Sequence, residues 1–201
     1  MPGWEYEHRA AEQGYSAVCG CDEAGVGPLA GRVYAAAVIL PDGLKLPGLN
    51  DSKQVSPKRR DILFDLIQKQ AVSWSVAWVE PEEIDQIDIL NSRVKAMQLA
   101  IDALDVKADF ALVDGNRDHG SKYRITVDHM LIVKGDSLSK SIAAASILAK
   151  VSRDRYMEEM SGLYPQYEFQ RHKGYPTKRH YELLRQYGPC PIHRRSFLKN
   201  L

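Results

Sequence analysis

The stretch Cys21-Asp22-Glu23-Ala24-Gly25-Val26-Gly27-Pro28-Leu29-Ala30-Gly31 decides how the chain is read. Two adjacent carboxylates close a short apolar run, Ala17 to Cys21, and a glycine-rich bend leads into a second run, Val33 to Leu40. The pattern is strand, acidic corner, tight loop, strand. Neighbours on a strand point to opposite faces, so Asp22 and Glu23 share a target only if the backbone bends between or just after them. Gly25 and Gly27 permit that bend, and a Gly-x-Gly loop leaves its main-chain groups open to a polymer. A dinucleotide fingerprint is excluded: a strand-like run follows the glycines instead of a helix, and the spacing is G-x-G-x-x-x-G.

Further carboxylates stand at element ends along the chain. Phe110-Ala111-Leu112-Val113 reads as a buried strand with Asp114-Gly115 at its end, where open α/β sheets place ligands. Asp136 precedes a long helix expected over Ser139–Met160, whose first half is small and apolar. Taken singly, each has an ordinary explanation. Acids before Gly-Pro are turn formers, Asp-Gly is a turn, and an Asp ahead of a helix is a cap. Taken together, Asp22, Glu23, Asp114 and Asp136 form an oxygen-only ligand set suited to Mg²⁺ or Mn²⁺. Two such ions can activate a water and stabilise a leaving oxygen in phosphodiester hydrolysis. No Cys/His spacing suggests zinc, and no G-x-S-x-G marks a nucleophile elbow.

Around these positions the periodicity predicts strands over Ala17–Asp22, Arg32–Leu40 and Ser73–Val79, with short strands at Tyr123–Val127 and Leu131–Val133. It predicts helices from Pro57, a short turn at Pro81, and helices over Asn91–Leu104 and Lys178–Tyr187. Residues 1–16 read as a polar arm pinned by Trp4, Tyr6 and Tyr15. Lys53, in a polar loop ahead of a helix, suits phosphate contact. The cluster His172-Lys173-Gly174-Tyr175 offers charge and a ring to a nucleic-acid backbone.

Composition bounds the rest. Hydrophobic residues make up 44% and charged residues 26% of the 201 positions, the balance of an ordinary globular protein. The longest uncharged stretches, Val33–Leu40 and Ser141–Ala149, fall well short of the roughly 18 residues a membrane span needs. Three cysteines without metal spacing read as reduced thiols, and the chain is expected in the cytoplasm, away from membranes. Net charge is +1, yet residues 134–201 carry 13 Lys and Arg against 6 Asp and Glu, while residues 1–133 carry 14 against 20. A basic C-terminal face beside an acidic corner suits a polyanion held through metal and Lys/Arg together.

Several motifs now occur in one order: Asp22-Glu23-Ala24-Gly25-x-Gly27-Pro28-Leu29-Ala30-Gly31, Asn50-Asp51-Ser52-Lys53, Val113-Asp114-Gly115, Lys134-Gly135-Asp136, Ala143-Ala144-Ala145-Ser146-Ile147-x-Ala149-Lys150-Val151-x-Arg153-Asp154-Arg155, His172-Lys173-Gly174-Tyr175 and Pro191-Ile192-His193-Arg194. Over residues 17–197 this resembles bacterial ribonuclease HII, the type 2 ribonuclease H. The resemblance implies an α/β ribonuclease H-like fold, a central five-stranded mixed sheet flanked by helices, with a helical C-terminal part. It implies one catalytic domain over 1–201: the arm at 1–16, the core at 17–160 and a basic helical segment at 161–201. It implies hydrolysis of the RNA strand of RNA–DNA hybrids and incision at ribonucleotides embedded in duplex DNA, leaving 3′-hydroxyl and 5′-phosphate ends. Asp22, Glu23, Asp114 and Asp136 match the metal-binding carboxylates, with Mg²⁺ or Mn²⁺ as the expected two-ion cofactor. Gly25, Val26 and Gly27 match the loop that reads the ribose 2′-hydroxyl with main-chain groups. Tyr175 matches the tyrosine that stacks on the following deoxyribose, and Lys53 and Lys173 are expected backbone contacts. The loop departs from the family's Gly-Arg-Gly by carrying Val26, and Arg32 stands where proline is usual. A monomer without a protein partner is expected. Two competing readings are a hybrid-binding module that has lost catalysis, and a nuclease of the same fold that acts on DNA.

Overall fold

The structure is a computed structural model that describes residues 1–199. The chain runs α1 (Glu5–Glu12), β1 (Val18–Ala24), β2 (Val33–Ile39), α2 (Pro57–Gln70), β3 (Ser73–Val79), α3 (Pro81–Ile87), α4 (Ile89–Asp102), β4 (Phe110–Asp114), β5 (His129–Ile132), α5 (Lys140–Leu163), α6 (Phe169–His172) and α7 (Lys178–Tyr187). Five strands form one sheet in the order β3-β2-β1-β4-β5. β2 runs antiparallel to both of its neighbours, β1 and β3, whereas β1, β4 and β5 are parallel. This is the expected five-stranded mixed sheet.

The parallel trio controls the site, because its three C-terminal ends emerge at one edge of the sheet. Asp22 and Glu23 lie near the end of β1, Asp114 ends β4, and Asp136 sits in a 3₁₀ turn, Gly135–Ser137, that leaves β5. On one face of the sheet α4 packs Val94, Met97 and Ile101 against Cys19, Cys21 and Val113. On the other face lie α2 and the first half of α5, with Ala143 to Ala149 buried on every side. A helix that is apolar and small all round can lie directly against a sheet. Gly20 makes the approach possible, since a Cβ there would overlap the Ser141–Ile142 backbone.

Two expectations are corrected. Residues 1–16 are more than an arm: they form α1, docked on the start of α5. The Glu7 carboxylate accepts from Ser139 Oγ at 2.6 Å and from the Ser141 N–H at 2.9 Å, which satisfies donors at that helix's N-terminus. Ser139 is the cap of α5, accepting from the Ile142 N–H, so Asp136 is released from that duty. Tyr123–Val127 is no strand of the sheet. The Gly120 N–H bonds to Tyr123 O and the Ile125 N–H to Asp118 O, so the segment folds on itself and its donors never reach the sheet. The fourth and fifth strands therefore come from Phe110–Asp114 and His129–Ile132. Beyond α5, α7 spans the predicted Lys178–Tyr187, and Thr177 caps it by accepting from the His180 N–H. Residues 200 and 201 of the basic C-terminal segment lie outside the described residues.

Candidate active site

Asp22, Glu23, Asp114 and Asp136 line one cavity of about 450 Å³, together with Gly25, Val26, Gly27, Ser52, Lys53, Lys150 and Tyr175. The puzzle of adjacent strand residues sharing a target resolves through position. Asp22 is registered opposite Ala36, on the α5 face, and Glu23 opposite Ala35, on the α4 face. The strand stays regular through both, and the bend follows at Gly25, at φ +99°. The cavity covers the end of the sheet, so residues from both faces reach it.

Each acid is held differently. The Glu23 carboxylate pairs with Arg93 of α4 at 2.9 Å, and its second oxygen has no hydrogen-bond partner among the described residues. Arg93 also donates to the carbonyl of Asp114 at 2.8 Å, tying β4 to β1 through α4. Asp114 Oδ1 accepts from the Gly135 N–H at 2.7 Å, which anchors the turn that carries Asp136. Asp22 is buried at 6% exposure. Burial, and then the charges of Glu23 and Asp114, hold its pKa well above the ordinary carboxylate range. Burial likewise raises Glu23, against the pull of Arg93. Asp136 is pushed up to about 6 by burial and by the neighbouring Asp51 and Asp114 charges. Asp51, which lies in the Asn50–Lys53 motif, was not singled out as a site residue. Burial opposes the charge of Lys53, but Asp51, Asp136, Asp22 and Asp114 outweigh it and its pKa is raised.

Mutual repulsion among buried carboxylates, a partnerless oxygen on Glu23 and an oxygen-only donor set fit a divalent hard cation. Among the described residues, no three His, Cys, Asp or Glu side chains are arranged to hold an ion by themselves.

The loop beside the acids is built from the far end of the chain. Arg194, fully buried, donates from Nη2 to Gly25 O (2.6 Å) and Arg32 O (3.3 Å), from Nη1 to Val26 O (3.0 Å) and Pro28 O (2.8 Å), and from Nε to Gly31 O (2.9 Å). Burial and then the nearby Arg153 lower its pKa to about 9, so it stays charged at neutral pH. Arg153, also buried, donates to Ala30 O and Lys173 O, and a Cβ at Gly25 would strike its side chain. The departure at Arg32 is accommodated outside the cavity: its guanidinium pairs with Glu80 at 3.0 Å and lies over Trp78 and Tyr156.

Tyr175 is 40% exposed, and its ring edge lies 3.9 Å from where a Gly27 Cβ would be. Its carbonyl accepts from His180 Nδ1, while His180 Nε2 meets His193 Nε2 at 3.0 Å and His193 Nδ1 accepts from the Cys190 N–H. That order assigns both rings as neutral tautomers, with His193 donating to His180. Lys173 is not brought into the acidic cavity. Its ammonium pairs with Glu158 at 2.8 Å and faces a neighbouring cavity bordered by α2 and α5. Arg194, Arg93 and the histidine pair were missed as site residues; only the Pro191–Arg194 motif hinted at two of them, His193 and Arg194.

A mixed five-stranded sheet with acids at the ends of its parallel strands defines the class, a ribonuclease H-like hydrolase. Residues 19–200 match the family model described as Ribonuclease HII, and the chain belongs to that family. It is 49% identical to the Ribonuclease HII of Caldicellulosiruptor saccharolyticus, over 98% of this chain and 95% of that one. It is 53% identical to that of Idiomarina loihiensis, over 90% and 94%. Among solved structures it is similar to the ribonuclease H2 of Pyrococcus horikoshii, with a TM-score of 0.74 and 28% identity over 90% of this chain and 93% of that one. The RNase HII of Archaeoglobus fulgidus, solved in complex with PCNA, gives 0.73 and 26% over the same shares. The protein is thus a divalent-metal-dependent endoribonuclease acting on RNA–DNA hybrids. No described helix is long and apolar enough to cross a membrane.

Proposed function

We propose that the protein incises 5′ of ribonucleotides embedded in duplex DNA, as well as within hybrids, with Asp22, Glu23, Asp114 and Asp136 holding two Mg²⁺ or Mn²⁺ ions. The observation that carries this reading is the one cavity in which four acids from three segments meet the Gly25–Gly27 loop and Tyr175. When bound, the ions would activate a water and neutralise charge on the departing oxygen. The chain's own residues supply position. The N–H groups of Val26 and Gly27 face a ribose, the Tyr175 ring offers a stacking surface for the next sugar, and the Lys53 ammonium reaches a phosphate. Water attacks phosphorus and the P–O3′ bond breaks, which leaves a 3′-hydroxyl and a 5′-phosphate. The test is a labelled duplex carrying one ribonucleotide, incubated with Mg²⁺, with Mn²⁺ and with EDTA. Cutting on the 5′ side of the ribonucleotide that EDTA abolishes is expected; tight binding without cutting under both metals would overturn the reading. The protein is further read as a cytoplasmic monomer.

A further inference from the structure

Arg194 is a fully buried cation whose hydrogen bonds all go to main-chain carbonyls of residues 25–32. Burying a guanidinium without a carboxylate against it is costly, and aligned carbonyl dipoles are what compensates here. The segment that bears it is fixed independently of the side chain. The Gly31 N–H donates to Ile192 O at 2.8 Å, and the Arg194 N–H donates to Leu29 O at 2.9 Å. Main-chain pairing thus grips the far limb of the loop, and the guanidinium reaches beneath the near limb.

The consequence follows from peptide geometry. In a planar trans peptide the C=O and the following N–H point in opposite directions. Gly25 O and Val26 O are both turned toward Arg194, so the N–H groups of Val26 and Gly27 are turned away from it, toward the cavity both residues line. Neither N–H has an acceptor among the described residues. Two successive free N–H groups on one side form a concave receptor for an oxygen acceptor.

We propose that Arg194 is a positioning residue for ribonucleotide recognition: by drawing the Gly25 and Val26 carbonyls inward, it aims the Val26 and Gly27 amides as a fixed pair of donors at an oxygen of the substrate. This rests on the function proposed above and assigns that recognition an agent outside the loop. Lysine cannot replace it, because a point charge with three donors does not fork across five carbonyls.

The test uses the full-length protein with Mn²⁺ and a DNA duplex bearing one ribonucleotide, and it compares the parent, Arg194→Lys, Val26→Pro and the double variant. Proline at 26 deletes one of the two donors, and Val26 is not among the residues with positive φ. Each single variant is expected to lose roughly tenfold or more in kcat/KM, a free-energy change of about 1.4 kcal/mol, expressed in KM. The double variant is expected to lose no more than the worse single one, because both remove the same contact. A loss in kcat alone, as a reduced folded fraction would give, overturns the inference, and so do multiplicative losses. If Arg194→Lys does not fold, Val26→Pro decides: raised KM with an unchanged thermal transition supports the donor pair, and unchanged KM overturns it. A parent that cuts neither this duplex nor a continuous hybrid overturns the proposed function itself and this inference with it. A parent that cuts, with a raised KM in Val26→Pro but an unchanged KM in Arg194→Lys, overturns only the role of Arg194.

Discussion

The acidic rim and the glycine loop share a cavity but are held in place by opposite means. Asp22, Glu23 and Asp114 project from strands whose registers are set by hydrogen-bonded ladders, and Asp136 follows within a turn of β5. Their positions come from the sheet, and their cost is electrostatic: burial and mutual repulsion lift Asp22, Glu23 and Asp136 above their ordinary pKa values. The loop has no ladder partner over residues 25–28. Arg194, from 169 positions beyond Gly25, holds it by its carbonyls. A site can thus place its charge-bearing groups on the most rigid element and leave recognition to a loop that the rest of the fold must secure. The strain in the first region is what a bound cation would relieve; the second is neutral on its exposed side and strongly cationic beneath.

The sharpest way to break this contrast is Asp22→Asn. It removes one negative charge at the centre of the acidic group and leaves the strand intact. Activity in Mg²⁺ or Mn²⁺ is expected to fall by roughly 10²–10³ in kcat, the size of losing one preorganised electrostatic group. Thermal stability without metal is expected to rise, since a buried repulsive charge disappears. Calorimetry in EDTA and a cleavage assay on the same preparation measure both. A variant that loses stability along with activity would show that the rim is not strained as described.

Acidification separates the two regions by sign. His180 and His193, behind Tyr175, are buried neutral, with burial first and neighbouring histidines second lowering each to about 4. Their unfolded value is about 6.5. A lowered histidine contributes stability that is complete above about 6.5 and is lost as pH falls toward 4. Asp136 works the other way: its folded value of about 6 lies above the ordinary carboxylate value of 3.8, so it disfavours folding when ionised and this penalty fades as pH falls through 6. In EDTA, Asp136→Asn is therefore expected to destabilise more steeply than the parent between pH 6.5 and 4, with the histidine loss no longer offset. Unfolding midpoints measured across that range decide it, and parallel curves for the two proteins would refute the opposed signs.

The same division explains what could be read before any coordinates. The strands and long helices were legible because apolar spacing records burial directly, as in Phe110–Val113 and the small-residue run of α5. The acids could be singled out because Asp22-Glu23 and Asp114 follow apolar runs and Asp136 precedes a long helix, though singly Asp114 and Asp136 read as a turn and a cap. Helix α1 was not legible: Glu7 reads as surface, and only its contact with Ser139 and Ser141, more than 130 positions away, explains its burial. Arg194 was hidden for the same reason. A basic tail residue has no local pattern that marks it as buried under a loop formed by the other end of the chain. Lys173 shows the limit of a local reading: its neighbourhood in sequence suits a phosphate contact, but nothing there reveals that its ammonium pairs with Glu158 of α5.

The smallest expected effect tests how far recognition depends on main-chain groups. Val26 is half-buried at the cavity wall, at the position where the resemblance implies arginine. If the Val26 and Gly27 amides supply most of the recognition, Val26→Arg adds one charged contact to a loop already in position and leaves its carbonyls on Arg194. One such partly exposed contact is worth about 0.5–1.5 kcal/mol, so KM on a single-ribonucleotide duplex is expected to fall roughly twofold to tenfold with kcat unchanged. The added phosphate contact should also steepen the salt dependence of binding by about one unit of log–log slope. Equal catalytic efficiency and an unshifted cut position in the variant would show the valine to be silent. A change in cut position would mean instead that side chain 26 shares in choosing the scissile bond, and that the amides do not read the ribose alone.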